Sequence, residues 1–422
     1  MSSPAAPAPP VTLSERRLAA ARRAVAVVFA VNGACFATWA SRIPDVKHVL
    51  ALSPGRLGLV LLAIAVGSLL GLPASGSIAA RWGSRSTVQI GVGCLVGGQA
   101  VAAVGVSVVG SAPVLACGLL LGGLGFGVWD VGMNLEGAAV ERHLRRSIMP
   151  RFHAAFSAGT VAGALVGAGL SAAGVPVGLH LVVVSTLLGL VGLRAGRHFL
   201  PRAAEEEVHA ATEGIGAPSA GPLAAWREPR TLLIGLVVLV AAFTEGTAND
   251  WMSLAFVDGH DLPAWAGVLG LAAFLTAMTL GRLLGTHALD RHGRVPTLRL
   301  LFLAAGAGSL LVVLGDAPLA YLGALLWGLG ASLGFPVGMS AAADDPRRAA
   351  ARMSVVSTIG YTAFLGGPPL LGLLGDHVGV LHALLVVAAG GVVALLLVPA
   401  TAPLVLRRPD SPDGRCPVVL GD

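Results

Sequence analysis

An all-α membrane protein, with twelve transmembrane helices in two pseudo-symmetric six-helix bundles, is the fold class this sequence predicts. Three observations predict it. Of the 422 residues, 55% are hydrophobic and only 12% charged. A soluble domain carries about 25% charged residues, so most of this surface must face an apolar medium. Apolar runs of about 20 residues, long enough to cross a bilayer core, recur along the whole chain. The two halves also resemble each other in motif order, as set out below.

The expected spans are 24–42, 55–80, 87–109, 113–138, 153–175, 178–199, 231–256, 263–289, 296–315, 318–342, 353–375 and 380–400. Span 1 follows Arg22 and Arg23. It is long for a signal peptide and precedes many more spans, so a retained helix is expected. Spans 2 and 3 flank the short turn "GSIAARWGSRS", and span 4 carries "GLGFGVWDVGMNLEG". Span 5 opens on "FHAAFSAG", and span 6 ends near residue 199. A Pro-, Gly- and Glu-containing stretch then breaks the hydrophobicity and separates six spans from six. Span 7 contains "EGTANDW", spans 8 and 9 flank "THALDRHGRV", and span 10 carries "GALLWGLGASLGFPVGMS". Span 11 holds "GGPPLLG", and span 12 begins at "VLHALL". The domain plan is a disordered tail at 1–23, a bundle at 24–200, a linker at 201–230, a bundle at 231–400 and a tail at 401–422. Fifty-eight glycines lie mostly inside these runs, where small residues let helices approach closely in lipid.

The halves match in order and spacing. "GLLLGGLGFGVWDVGMN" from Gly118 aligns with the span 10 segment from Gly323, and "VGLH" at 177–180 with "GVLH" at 379–382. A repeat in one orientation implies a pseudo-twofold axis along the membrane normal. Arginines cluster on one side: Arg16, Arg17, Arg22 and Arg23, then Arg81 and Arg85, then Arg142, Arg145, Arg146 and Arg151. The opposite side keeps Arg42, Lys47 and Arg56. That asymmetry predicts a multi-pass plasma-membrane protein with both termini cytoplasmic. It also accounts for the net charge of +6 without nucleic acid as a partner. Cys35, Cys94, Cys117 and Cys416 form no CxxC pair and no cluster with histidine, so neither a metal nor a disulfide framework is expected. No cofactor is expected either.

Over residues 20–400 the chain resembles the major facilitator superfamily of secondary transporters. The resemblance rests on two copies of the loop G-x-x-x-D-R-x-G-x-R-R. The first keeps Gly76, Arg81, Gly83 and Arg85 but has Ala80 at the acidic position. The second keeps Asp290, Arg291, Gly293 and Arg294 but has Thr286 at the first glycine. The segments "NGACFATWASRIP", "DVGMNLEG", "FHAAFSAG" and "EGTANDW" are similar to a subgroup that includes the membrane protein MosC. What the resemblance implies is a monomeric secondary transporter of a small polar solute, sugar- or inositol-like. Its cavity would be lined by helices 1, 4, 7 and 10. Asp290 would form a clasp toward Arg151 and its neighbours on the cytoplasmic side. The Gly-Pro motif of helix 5 drug-proton antiporters is absent, which weakens an efflux reading without removing it.

The chemistry-bearing residues are few. Asp130 and Asn134 are four apart, as are Glu245 and Asn249, and positions i and i+4 share a helix face. A carboxylate inside a span costs about 2.5–3.5 kcal/mol on insertion scales, so it faces a cavity or a partner. Either a structural hydrogen bond or a solute and proton site fits each pair. Asp250 lies one residue past Asn249. Asn32 sits mid-span. Arg42 either meets an anionic group, pairs with Asp45, Asp250 or Glu245, or snorkels. Tyr361 offers a hydroxyl from span 11. Together these eight form the expected path for solute and protons, with Glu245 as the main coupling group. No nucleotide-binding loop or HExxH set is present. A transporter rather than an enzyme is therefore expected, driven by an ion gradient, with protons as the expected ion, or working by simple facilitated diffusion. A proton-antiport efflux pump and a non-transporting sensor are the alternatives, the sensor disfavoured by the short tails.

Overall fold

The computed structural model describes residues 13–144, 146, 148–202, 224–345 and 348–403. Most of the expected linker and the ends of both tails lie outside them, as do Arg145, Arg347 and Cys416. Ten stretches of helix among the described residues are long and apolar enough to cross a membrane. One of them, Pro54–Val109, is two crossings joined at a turn, and Ala349–Val378 is a further 30-residue helix. Twelve crossings result.

Helix 1 is Glu15–Ala40, and a short helix at Ile43–Val49 extends it. Helices 2 and 3 are the two arms of Pro54–Val104. Helices 4, 5 and 6 are Ala112–Leu144, Met149–Ala172 and Val177–Gly196. Helices 7, 8 and 9 are Pro229–His260, Ala264–His292 and Arg294–Leu314. Helix 10 is broken into Ala317–Ala331 and Gly334–Ala342. Helix 11 is Ala349–Val378, and helix 12 is Val380–Ala383 with Leu385–Leu397. Helix 1 starts nine residues before the expected boundary at 24. The Ser14 side chain accepts from the Arg17 backbone N–H at 3.3 Å, and Glu15 occupies the first turn. A cap and an acid at a helix N-terminus favour helix over coil.

The duplication is written in the backbone of two turns. Gly83, between helices 2 and 3, has φ 80° and ψ 171°, and Gly293, between helices 8 and 9, has φ 79° and ψ 172°. A side chain is strained at that φ, so both loop copies keep this glycine. Around the first turn, Ala80 cannot supply the missing acid. Two other groups hold the segment instead. Buried Glu136 accepts from Ser84 Oγ at 2.7 Å and from the Leu200 backbone N–H at 2.6 Å. The Arg202 guanidinium donates to the Ala80 and Arg81 carbonyls.

The second bundle has its own clamps at the face carrying the chain ends. Asp344 accepts from Arg294 at 2.7 Å and Arg230 at 2.9 Å. Glu228 accepts from Arg348 at 2.7 Å and Arg352 at 2.6 Å. Burial pushes the Glu228 carboxyl up, but the bonds from Arg352, Thr231 and Arg348 outweigh it and hold the carboxyl below its usual range. This clamp is therefore at full strength above the ordinary glutamate pKa of about 4.3 and is lost as pH falls through the lower folded value.

Polar contacts between the bundles lie at the opposite, far face. Lys47 pairs with Asp258 at 2.8 Å, His48 Nε2 lies 3.3 Å from the same carboxylate, and the Gly55 N–H donates to Asp376 at 3.0 Å. Helix 2 packs on helix 11 and helix 5 on helix 8. At the face with the chain ends, Asp290, Arg291 and Arg151 are exposed. The expected Asp290–Arg151 clasp is not formed among the described residues. Among the described residues these contacts latch the bundles at the far face, and Asp290 and Arg151 do not join them at the other.

Candidate functional site

A cavity of about 350 Å³ lies between the bundles. Helices 1 to 5 line it on one side and helices 7 and 11 on the other. Helix 4 makes the room: Gly118, Gly122, Gly123 and Gly127 all face the space. Two of them serve a second purpose. Gly118 and Gly122 abut Gly98 of helix 3, where an added Cβ would sit 2.6 Å from the Gly118 carbonyl and 2.7 Å from Gly122 Cα. That close approach brings Gln99 of helix 3 to the cavity wall. Helix 10 was expected among the lining helices and supplies no lining residue among those described. Its Trp327 is instead fully buried and donates to the Thr244 carbonyl at 3.2 Å.

The wall is mainly apolar and aromatic, with Phe36, Phe126, Phe156 and Phe364 prominent. Its two charged residues are Asp130 on helix 4 and Asp250 on helix 7, one from each bundle. Asn249 and Tyr361 also line it. The Asn249 Oδ1 is buried and has no hydrogen-bond partner. Asp250 makes no hydrogen bond or ion pair among the described residues and also edges a small recess beside Thr247 and Pro368. Asn134 turns back along its own helix. Its amide donates to the Asp130 carbonyl at 2.9 Å and to the Asp130 carboxylate at 3.3 Å, and it does not line the cavity.

Besides Asn134, three expected path residues sit elsewhere. Asn32 is fully buried in helix 1, and neither of its side-chain polar atoms has a partner. Arg42 is 1% exposed, donates to the Val175 carbonyl and lies 3.6 Å from Asp45. It ties the end of helix 1 to the turn before helix 6, and so takes the Asp45 option. Glu245 accepts from Arg282 of helix 8 at 2.9 Å, while Arg282 Nε donates to the Ser332 carbonyl at the break in helix 10. A carboxylate neutralised in this way and off the cavity wall is a brace between helices 7, 8 and 10.

Arg282 escaped the sequence reading, although a signal was there. It is the one Lys or Arg in the expected span 263–289, and an intramembrane cation requires a partner. Glu245→Gln is expected to destabilise the fold by roughly 1–3 kcal/mol, since it strands a partly buried guanidinium. Glu245→Gln combined with Arg282→Gln is expected to regain more than half of that loss. Thermal unfolding of the three variants in detergent decides it, and purely additive losses would exclude the brace.

Sequence comparison agrees with this architecture. The profile of the Major Facilitator Superfamily matches residues 24–287 and 266–420. The chain belongs to the Major Facilitator Superfamily. Among its relatives, the transporter y4wD of Sinorhizobium fredii (strain NBRC 101917 / NGR234) is 32% identical over 365 residues, covering 86% of this chain and 93% of the relative. Membrane protein MosC of Rhizobium meliloti is 29% identical over 375 residues, covering 88% and 87%. Among solved structures, the nucleoside transporter NupG superposes with a TM-score of 0.72 at 13% identity, over 90% of this chain and 98% of that one. The xylose transporter XylE from E. coli, in a partially occluded inward-open conformation, gives 0.68 at 13%, over 90% and 97%. At such identities the structures speak for the fold alone. Membership makes this chain a multi-pass membrane transporter of small solutes, and the superfamily's twelve-helix fold is the one described above.

Proposed function

We propose that this superfamily member is a proton-coupled secondary transporter of a small polar organic solute. It works as a monomer by alternating access in the plasma membrane, with both termini cytoplasmic. The observation that carries the reading is the cavity shared by Asp130 and Asp250, with the bundles latched at the far face. Under the proposed orientation the far face is external, so the cavity communicates with the cytoplasm in this conformation. A carboxyl without a cationic partner exchanges its proton as its access to water changes. Asp130 and Asp250 meet that condition, and Glu245, paired to Arg282, does not. The proton role expected of Glu245 is therefore given to Asp250, with Asp130 serving the opposite bundle. Asn249 and Tyr361 offer polar atoms to the solute, and Asn134 orients Asp130. The exposed loop residues Asp290 and Arg151 are free to meet when the cytoplasmic side closes.

The test uses purified protein in liposomes holding a pH-sensitive dye under an imposed pH gradient. Solutes from a panel of polyols, sugars, nucleosides, amines and organic acids are added in turn. One or more is expected to speed collapse of the gradient. If labelled solute exchanges across the vesicles while no member of the panel moves protons, coupling to protons is excluded.

A further inference from the structure

We propose that the solute held in the central cavity is a small organic cation, with an amine or quaternary ammonium group on a compact apolar body. The inference rests on the transporter reading above and names the charge class of what is carried. The wall brings two carboxylates to one space, Asp130 and Asp250, and no Lys, Arg or His among the described residues lines it. The cation one helix away, Arg282, is already engaged by Glu245 at 2.9 Å. An anionic solute would meet only like charge here, with nothing to neutralise it. A sugar or polyol would want many donors and acceptors, yet most of the wall is aliphatic and aromatic.

One further side chain points to a ligand rather than to a structural acid pair. Gln99 lines the cavity, is 7% exposed, and its Oε1 has no hydrogen-bond partner. That carbonyl oxygen offers negative partial charge to a cation, and the aromatic faces of Trp39 and the lining phenylalanines attract cations by their ring quadrupoles. The volume of about 350 Å³ sits at the small end of the roughly 300–1,000 Å³ common for small-molecule sites. An aryl or alkyl ammonium compound fits that space with its apolar body against the rings.

The experiment measures binding of three probes of similar size to the purified full chain in lipid nanodiscs, by calorimetry and by shift in unfolding temperature. The probes are benzyltrimethylammonium, phenylacetate and myo-inositol. Benzyltrimethylammonium is expected to bind and stabilise, and the other two are not. Asp130→Asn and Asp250→Asn are each expected to weaken that binding by about tenfold or more, equal to ~1.4 kcal/mol. Asp130→Glu and Asp250→Glu keep the charge and are expected to stay within a few fold of the parent, which separates lost charge from lost fold. Binding of phenylacetate or myo-inositol in place of the cation overturns the proposal. So does cation binding that ignores both carboxylates, or no cation binding at all. Those failures leave the transporter reading standing if the liposome assay shows solute-driven proton flux. Silence in that assay, with no labelled solute exchanged, removes the transporter reading itself.

Discussion

Asp250→Asn is expected to abolish solute-coupled proton flux while leaving solute exchange across the vesicle measurable. The carboxyl lines the cavity from helix 7 and makes no hydrogen bond or ion pair among the described residues. The amide that replaces it keeps nearly the same shape and cannot carry a proton, so the change removes coupling, while exchange persists at solute concentrations raised to offset the weaker binding. A hundredfold or greater drop in proton flux is expected, about 2.7 kcal/mol or more of lost coupling. Asp130→Asn is expected to be milder. Its carboxylate already holds the Asn134 amide at 3.3 Å, which anchors the wall of helix 4 whatever the proton does. Glu245→Gln, by contrast, is expected to alter stability more than coupling. Should Asp250→Asn retain parent-like proton flux while Glu245→Gln loses it, the roles given to the two acids are reversed.

How far the sequence speaks depends on whether a property is local. The crossings are legible because hydrophobic length is a property of consecutive residues, and the turns at Gly83 and Gly293 because each needs one glycine at a forced φ. Asp130 and Asp250 stand out because an acid inside an apolar run must be accounted for. What escapes notice depends on register between helices distant in sequence. Whether Glu245 faces a cavity or a cation turns on where helix 8 sets Arg282, and no spacing within helix 7 contains that. Gln99 reaches the cavity only because Gly98, Gly118 and Gly122 let helices 3 and 4 nearly touch. The direction of Arg42 is set by the Val175 carbonyl, 133 residues on. The family's pattern, too, misleads at helix 10, where the break near Ser332 is taken up by Arg282.

Gly58→Leu is expected to invert the conformational balance by preventing the far face from closing. Around Gly58 and Gly372, helices 2 and 11 meet backbone to backbone. A Cβ on Gly58 would sit 3.1 Å from the Pro368 carbonyl carbon and 3.2 Å from Pro369 Cα. On the facing helix, one on Gly372 would sit 2.5 Å from the Pro54 carbonyl oxygen and 3.1 Å from Gly55 Cα. These neighbours are backbone, so no rotamer change relieves the overlap, and the two helices must part. Moving a population from 99:1 to 1:99 takes about 5.5 kcal/mol, and a leucine forced against two proline backbones is expected to approach it. Gly58→Ala should produce a partial shift. Asp258→Asn removes the pairs to Lys47 and His48 but leaves the glycine contact intact. It is expected to shift the balance by less than about 1 kcal/mol, as partly exposed ion pairs do. Cys35 lines the cavity and reports the change. With Cys94, Cys117 and Cys416 replaced by serine, a membrane-impermeant thiol reagent applied at the far face should label Cys35 slowly in the parent. It should label the leucine variant much faster. Equal labelling in the two would mean that helices 2 and 11 are not the far gate, and the latch would have to be sought between helices 5 and 8 instead.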